Sequence, residues 1–400
     1  MPLKKIIISG TGCALADYLY LTISFHAPEF RKYLSKAVGD GGLSPGRLVF
    51  TEELERFSGD AYPEILKNIT GGALSDSFNI GGPGLVSMIH AAQMLNKNEF
   101  EVRFFGQTGK DETATRIFEL LQKTPLEISG YQDKSNQLTP FTDVFSDPDF
   151  DNGHGERTFV NNIGAAWDYS PENLPDEFFS SDIVCFGGTA LVPQIHDGLT
   201  GLLKRAKNSG CITVVNTVYD FRNEKANPGQ QWPLGKTTES FGLIDLLIMD
   251  KEEALKISGQ SMLGAAASYF CSQNLSAFVI TNGAENITAF SNGNLFGPMP
   301  LKTFPVSRKV AESRDRKGDT TGCGDNFAGG LIASLAEQLK NRQPGQLDFR
   351  EALSWAVASG GFACFYAGGT WLEGNPGEKR AKVEAFQKDY LTQIKKAKIE

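Results

Sequence analysis

Residues 318–330 read Gly-Asp-Thr-Thr-Gly-Cys-Gly-Asp-Asn-Phe-Ala-Gly-Gly, a glycine-dense turn that runs into an amphipathic segment. Phe327, Leu331, Leu335 and Leu339 follow at a spacing of four, which predicts a helix whose first turn begins near Asp325. Gly322 and Gly324 tolerate backbone conformations closed to other residues. Consecutive N–H groups from Gly322 through Cys323 and Gly324 to Asp325 can therefore converge on one anion, and the helix dipole favours negative charge at that point. A carboxylate beside an anion-binding turn admits two readings. Asp325 caps the helix, or it takes a proton from a hydroxyl that attacks a phosphate.

The run Asp319-Thr320-Thr321-Gly322-Cys323-Gly324-Asp325 resembles the signature of the ribokinase-like (PfkB) carbohydrate kinases, with Cys323 where that family usually has alanine. A thiol is a small hydrophobe and fits such a place. Gly81-Gly82, Gly106-x-x-Gly109-x-Asp111, Gly155-Glu156-Arg157-Thr158 and Thr281-Asn282-Gly283-Ala284 fall in the family's order, so the resemblance spans nearly the whole chain. It implies one α/β ribokinase-like kinase domain over residues 1–400. A central, mostly parallel sheet is flanked by helices, and a small β-sheet lid covers the substrate. It further implies ATP and Mg²⁺ as cofactors, and K⁺ held in part by Asp319.

Composition agrees with such an enzyme. The chain has 400 residues, 40% of them hydrophobic, with 28 Phe for a large core and 43 Gly for many tight strand–helix turns. A formal charge of −8 and the lack of a Lys/Arg cluster argue against a nucleic-acid partner. The apolar run Ile6-Ile7-Ile8 stops at Ser9-Gly10 and no segment reaches membrane-spanning length, which predicts a cytoplasmic protein with no membrane partner. Cys13, Cys185, Cys211, Cys271, Cys323 and Cys364 are scattered, as in a reducing compartment without disulfides or zinc. The four histidines have no metal-ligand spacing, so packing or surface roles are expected of them.

Short apolar runs alternate with helical patterns. Strands are expected at Lys5–Ser9, Val102–Gly106, Ile183–Gly187, Ile212–Asn216, Leu243–Met249 and Ala277–Thr281, with helices at Val86–Leu95, Thr113–Gln122 and Leu199–Lys207. Two stretches break the alternation. One is the long polar segment of about 18–78. The other, about 136–165, reads as a hairpin from Thr139–Phe145 to Arg157–Ile163. The resemblance assigns both to the lid, which keeps water from the phosphoryl group. The exposed edges and apolar face of such a lid predict a homodimer.

For the acceptor, the resemblance implies that Asp17 hydrogen-bonds substrate hydroxyls, that Gly81-Gly82 lets the backbone approach, and that Asn79 adds an amide. Read alone, an Asp after a strand is more often a turn or cap residue. Arg157 pairs with the carboxylate of a sugar acid, or is solvated or ion-paired on a lid strand. The chain departs from the family at Val86, where many members carry Asn. For the nucleotide, the resemblance implicates Asp250, Glu253, Thr281, Gly283 and Gly361. Asp250 and Glu253, three apart on a first helical turn, hold Mg²⁺ through water, or they form an acidic cluster that the dipole favours. The reaction implied is phosphorylation of a primary hydroxyl of a sugar or small polyol. A nucleoside kinase and a catalytically silent binding protein on the same fold are the alternatives.

Overall fold

A computed structural model describes residues 4–37, 39–235, 238–313 and 320–396. Its larger sheet has nine strands, in the order Met299–Phe304, Ile287–Ser291, Ala277–Thr281, Leu246–Asp250, Ile212–Asn216, Ile183–Gly187, Ile6–Gly12, Phe100–Thr108 and Tyr131–Asp133. Every pairing from Ala277–Thr281 to Tyr131–Asp133 is parallel, and the last two strands on the other side are antiparallel. Helices cover both faces. Cys185 belongs to one buried core with helices Pro83–Met94, Cys323–Leu339 and Phe349–Ala363, while its neighbour Phe186 belongs to the other with helix Pro193–Asn208. Burial on both faces is why the strands read as unbroken apolar runs.

Three expected strands differ at their ends. The first runs on to Gly12 because the Met88 side chain fills the space a Cβ on Gly10 would need, so Gly10 is a packing glycine and not a strand end. The strand expected over 102–106 extends two residues at each end, to Phe100–Thr108. The strand expected from Leu243 begins at Leu246, after a 3-10 turn over Thr238–Leu243. The helix expected from Leu199 starts at Pro193, whose fixed φ suits a first helical position. No helix among the described residues is long and apolar enough to cross a membrane.

A second, five-stranded sheet has the order Leu48–Phe50, Glu156–Asn162, Phe141–Asp147, Leu15–Tyr20 and Ser77–Gly81. It contains the expected hairpin, paired antiparallel from Phe141↔Asn162 to Asp147↔Glu156. Most of the long segment is not sheet. Helices Thr51–Ser58 and Tyr62–Thr70 lie on one face and close a third core with Tyr20, Phe30, Tyr33, Phe145 and Val160. These helices cover that face of the small sheet, one of the two features, with its edges, behind the expected homodimer.

Strand alternation turns the other face of this sheet toward the larger one. That face carries Asp17 and Leu19, paired in register with Thr142 and Val144, and Asn161 and Phe159 beside those. Asn161 donates to Thr142 Oγ1 at 2.9 Å, and Arg157, next on the same side, reaches Thr320 and Thr321.

Candidate active site

The C-terminal ends of parallel strands are where an open α/β sheet leaves a crevice, and Gly12, Gly187 and Asn216 line up there, with Asp250 beside Thr281 on the next strand pair. Helix Cys323–Leu339 points its N-terminus into this crevice. The helix begins at Cys323, two residues before the expected position, and its N-cap is Gly322, left-handed at φ +74°. Gly322 is required twice over, since a Cβ would also lie 2.5 Å from Gly369 Cα. Gly324 is different. Nothing lies within 4 Å of a Cβ placed there, so its lack of a side chain leaves room for a ligand.

Asp325 sits in the first turn and is not the cap. Cys323 N–H makes a long 3.3 Å bond to Thr320 O, and the first intrahelical acceptor, Gly322 O, goes to Asn326 N–H. The N–H groups of Gly324 and Asp325 fall among the first-turn donors that helix geometry leaves over. Burial raises the Asp325 carboxyl to about 7.

Other carboxylates lie in the same region. The buried Cys13 thiol is pushed up by burial and then by the charges of Asp325 and Asp17, so both carboxylates act on it. Asp17 is buried against Gly81, where a Cβ would overlap its carboxylate, so the Gly81 backbone can approach only because it is glycine. Gly82, at φ +91°, packs on Cys13 O and caps helix Pro83–Met94. On the other side, Glu253 is raised to about 8 by burial, then by Asp250, with a smaller push from Asp325. Asp250 and Glu253 form a reciprocal capping box, Asp250 N–H to Glu253 Oε2 at 2.9 Å and Glu253 N–H to Asp250 Oδ1 at 2.8 Å. Thr217 Oγ1 donates to the same Glu253 oxygen at 2.6 Å. With its oxygens so engaged, this pair fits a hydrated Mg²⁺ reached through water, and no cluster of three or more His, Cys, Asp or Glu side chains suited to a metal occurs among the described residues. Asp319, the expected K⁺ ligand, lies outside the described residues.

The remaining expected residues take other places. Arg157 is turned to the glycine loop, donating from Nη1 to Thr321 Oγ1 and from Nη2 to Thr320 Oγ1 at 3.1 Å. It ties the small sheet to the glycine loop. Asn79 spends its amide on the 367–370 loop, donating to Ala367 O at 3.1 Å and Thr370 O at 3.2 Å and accepting from Thr370 N–H. Val86 is buried beneath the same loop, against Gly369, so a polar side chain there would meet packing and not an acceptor. Thr281 ends its strand beside Asp250, and Gly283, left-handed at φ +55°, is open to solvent. Gly361 packs against Val310, while its neighbour Gly360 lies over Cys323 O.

Sequence reasoning missed Cys13, Thr217 and Asn326. Only adjacency signals two of them, Cys13 after the first strand's Gly12 and Asn326 after Asp325. It also missed that the Cys323 and Cys364 thiols lie 3.6 Å apart at the loop.

A family model described as pfkB family carbohydrate kinase matches residues 62–372. Among solved structures, adenosine kinase from Schistosoma mansoni in complex with 2-fluoroadenosine is 16% identical with a TM-score of 0.68, over 92% of this chain and 98% of that one. Ribokinase from Thermotoga maritima is 17% identical with a TM-score of 0.61, over 96% and 100%. A probable sugar kinase from Rhizobium etli is 14% identical with a TM-score of 0.67, over 96% and 99%. At such identities the likeness is one of fold.

Proposed function

Because the chain belongs to the pfkB family of carbohydrate kinases, we propose that it transfers the terminal phosphoryl group of ATP to a primary hydroxyl of a sugar or related small polyol. The observation that carries this reading is Asp325, a carboxyl raised to about 7 beside the first-turn donors of a helix, with Asp17 acting on the same buried Cys13 thiol. A base is most effective when its pKa lies near the working pH. Asp325 takes the hydroxyl proton as the oxygen attacks. The Gly324 and Asp325 amides, with the dipole of helix Cys323–Leu339, lower the energy of charge spreading over the transferred group. Asp17 holds a neighbouring hydroxyl and sets the attack line. Mg²⁺, held through water by Asp250 and Glu253, supplies charge neutralisation at the phosphates when bound.

Arg157 serves the phosphate side in this reading. Its guanidinium fork orders Thr320 and Thr321 and places positive charge at the loop. Arg157→Met is expected to lower kcat about tenfold with little change in melting temperature, and Arg157→Lys to recover only part of the loss, because the ammonium keeps the charge but not the fork. Steady-state rates of the two variants at saturating ATP check this, and a wild-type rate in Arg157→Met rejects it.

One observation favours a nucleoside acceptor. Beyond the polar group of Asp17, Thr142 and Asn161, the same sheet face continues with the buried Leu19 and Val144 and the half-buried Phe159, the one ring of the three on which a flat base attached to the sugar could stack. ATP turnover against a panel of sugars, sugar acids and nucleosides decides. Turnover confined to nucleosides selects the second reading, and no turnover with any acceptor leaves a silent binding protein and rejects both.

A further inference from the structure

Lys379 lies on the first turn of helix Glu378–Lys396, with its side chain only 1% exposed. Its Nζ donates to Gln93 Oε1 at 2.9 Å and Asn326 Oδ1 at 3.1 Å, and no carboxylate among the described residues lies within ion-pair distance. A buried cation held by two neutral acceptors is costly, and a helix N-terminus adds dipole repulsion to that cost. Stability therefore does not account for this charge.

The contacts indicate what it serves. Asn326 is fully buried, and its carboxamide orientation is fixed by chemistry. A lysine can only donate, so Oδ1 faces Lys379. The carbonyls of Gly322 and Gly369 can only accept, so Nδ2 faces them, at 2.8 and 2.9 Å. Tyr366 Oη also donates to Asn326 Oδ1 at 3.1 Å, and His90 Nδ1 at 2.7 Å is held in its donor tautomer. Three donors thus crowd one carbonyl oxygen, one of them a cation. That polarises the amide and strengthens both Nδ2 bonds. Those bonds hold Gly322 in its left-handed cap against Gly369, and that cap aims the first-turn N–H groups of the anion site.

We propose that Lys379 is a positioning residue for phosphate binding, an internal cation that acts through the Asn326 carboxamide to fix the Gly322–Asp325 loop on Gly369. The inference rests on the phosphoryl-transfer reading of that loop, but its test needs no acceptor. Burial lowers the Lys379 ammonium to about 7. The titratable groups around it are His90, itself pushed well down by burial and by Lys379, Tyr366, and Glu373, whose charge favours the ammonium. Tyr366 in turn feels Asp325, Cys323 and Cys364. Because the folded chain holds this proton less tightly than the unfolded chain, the penalty is greatest below about pH 7 and shrinks as pH rises toward the unfolded lysine value.

Lys379→Met, close in volume and uncharged, separates positioning from packing. Calorimetric titration with MgATP is expected to give a dissociation constant about tenfold weaker than wild type, a coupling normal for one hydrogen-bonded network. In an Asn326→Ala background the same substitution is expected to change nothing further. The melting temperature of Lys379→Met should exceed that of wild type at pH 6.5, with the difference shrinking by pH 9. The proposal is overturned by MgATP affinity within twofold of wild type, by an equal loss in both backgrounds, or by affinity and melting temperature falling together. If wild type binds MgATP as expected but phosphorylates no acceptor, the function reading fails while this test still stands.

Discussion

Asp325→Asn is expected to lower kcat by about 10²–10⁴-fold, the usual loss when a positioned general base is removed. MgATP affinity should change little, since asparagine keeps the shape of the first turn and the N–H donors are backbone. The amide cannot take the hydroxyl proton. Every turnover would then proceed from an undeprotonated alcohol, and the loss should appear in kcat and in kcat/KM for the acceptor alike. A single-turnover rate within threefold of wild type removes Asp325 from the role of base.

The pH dependence follows from the same group. Burial raises the Asp325 carboxyl to about 7. Activity that needs the carboxylate rises with pH through that value and levels above it, and Asp325→Asn should lack this rise. Stability runs the opposite way. Between the ordinary carboxylate value near 4 and pH 7, the folded chain holds the Asp325 proton more tightly than the unfolded chain does, so ionisation costs stability as pH climbs through that window. Asp325→Asn should therefore melt higher than wild type at pH 8 and show no such advantage at pH 4. A site that is easier to stabilise than to keep active is what a strained functional group leaves behind.

What the sequence made legible and what it hid differ in range. The glycine loop and its helix were readable because the signal is local. Gly322, Gly324 and the apolar stripe from Phe327 sit within a few turns of one another. The hairpin at 141–147 and 156–162 was readable by alternation. The helices over the small sheet were not, because their N-caps are Phe50 and Ala61, neither of which offers a side-chain cap, and their marks are Pro63, acidic first turns and the closing glycines Gly59 and Gly71. Arg157 reaches Thr320 and Thr321 across more than 160 residues of chain. Lys379 is 53 residues from Asn326 in a segment whose charge pattern is that of a solvated helix. A lysine in such a segment looks like surface until the fold buries it. The same limit explains Asn79. A polar residue next to Gly81-Gly82 invites a substrate role, and only the fold shows the 367–370 loop taking up its amide.

Asp17 is where the reading of the acceptor is most exposed to test. Its carboxylate is buried against Gly81, and beside it in the sheet stand Thr142, whose hydroxyl oxygen accepts from Asn161, and Asn79, whose amide is spent on the 367–370 loop. Of these neighbours it alone carries a charge, and a carboxylate can accept from two hydroxyls at once and so fix a sugar's orientation. Loss of a hydrogen bond to a charged group costs roughly 1.5–3 kcal/mol, or about ten- to a hundredfold. Asp17→Ala should thus lower kcat/KM for the acceptor by that factor, with part of the loss in kcat, because a loosely held alcohol spends less time in line with the phosphate. KM for ATP should stay at its wild-type value, since the proposed nucleotide side is built from Asp250, Glu253 and the glycine loop. Asp17→Asn, which keeps one acceptor oxygen, should fall between the two. A residue that only pairs strands would behave otherwise. Equal small changes in both KM values, together with a lower melting temperature, would assign Asp17 to the sheet and return the acceptor's anchor to Asn161 and Thr142.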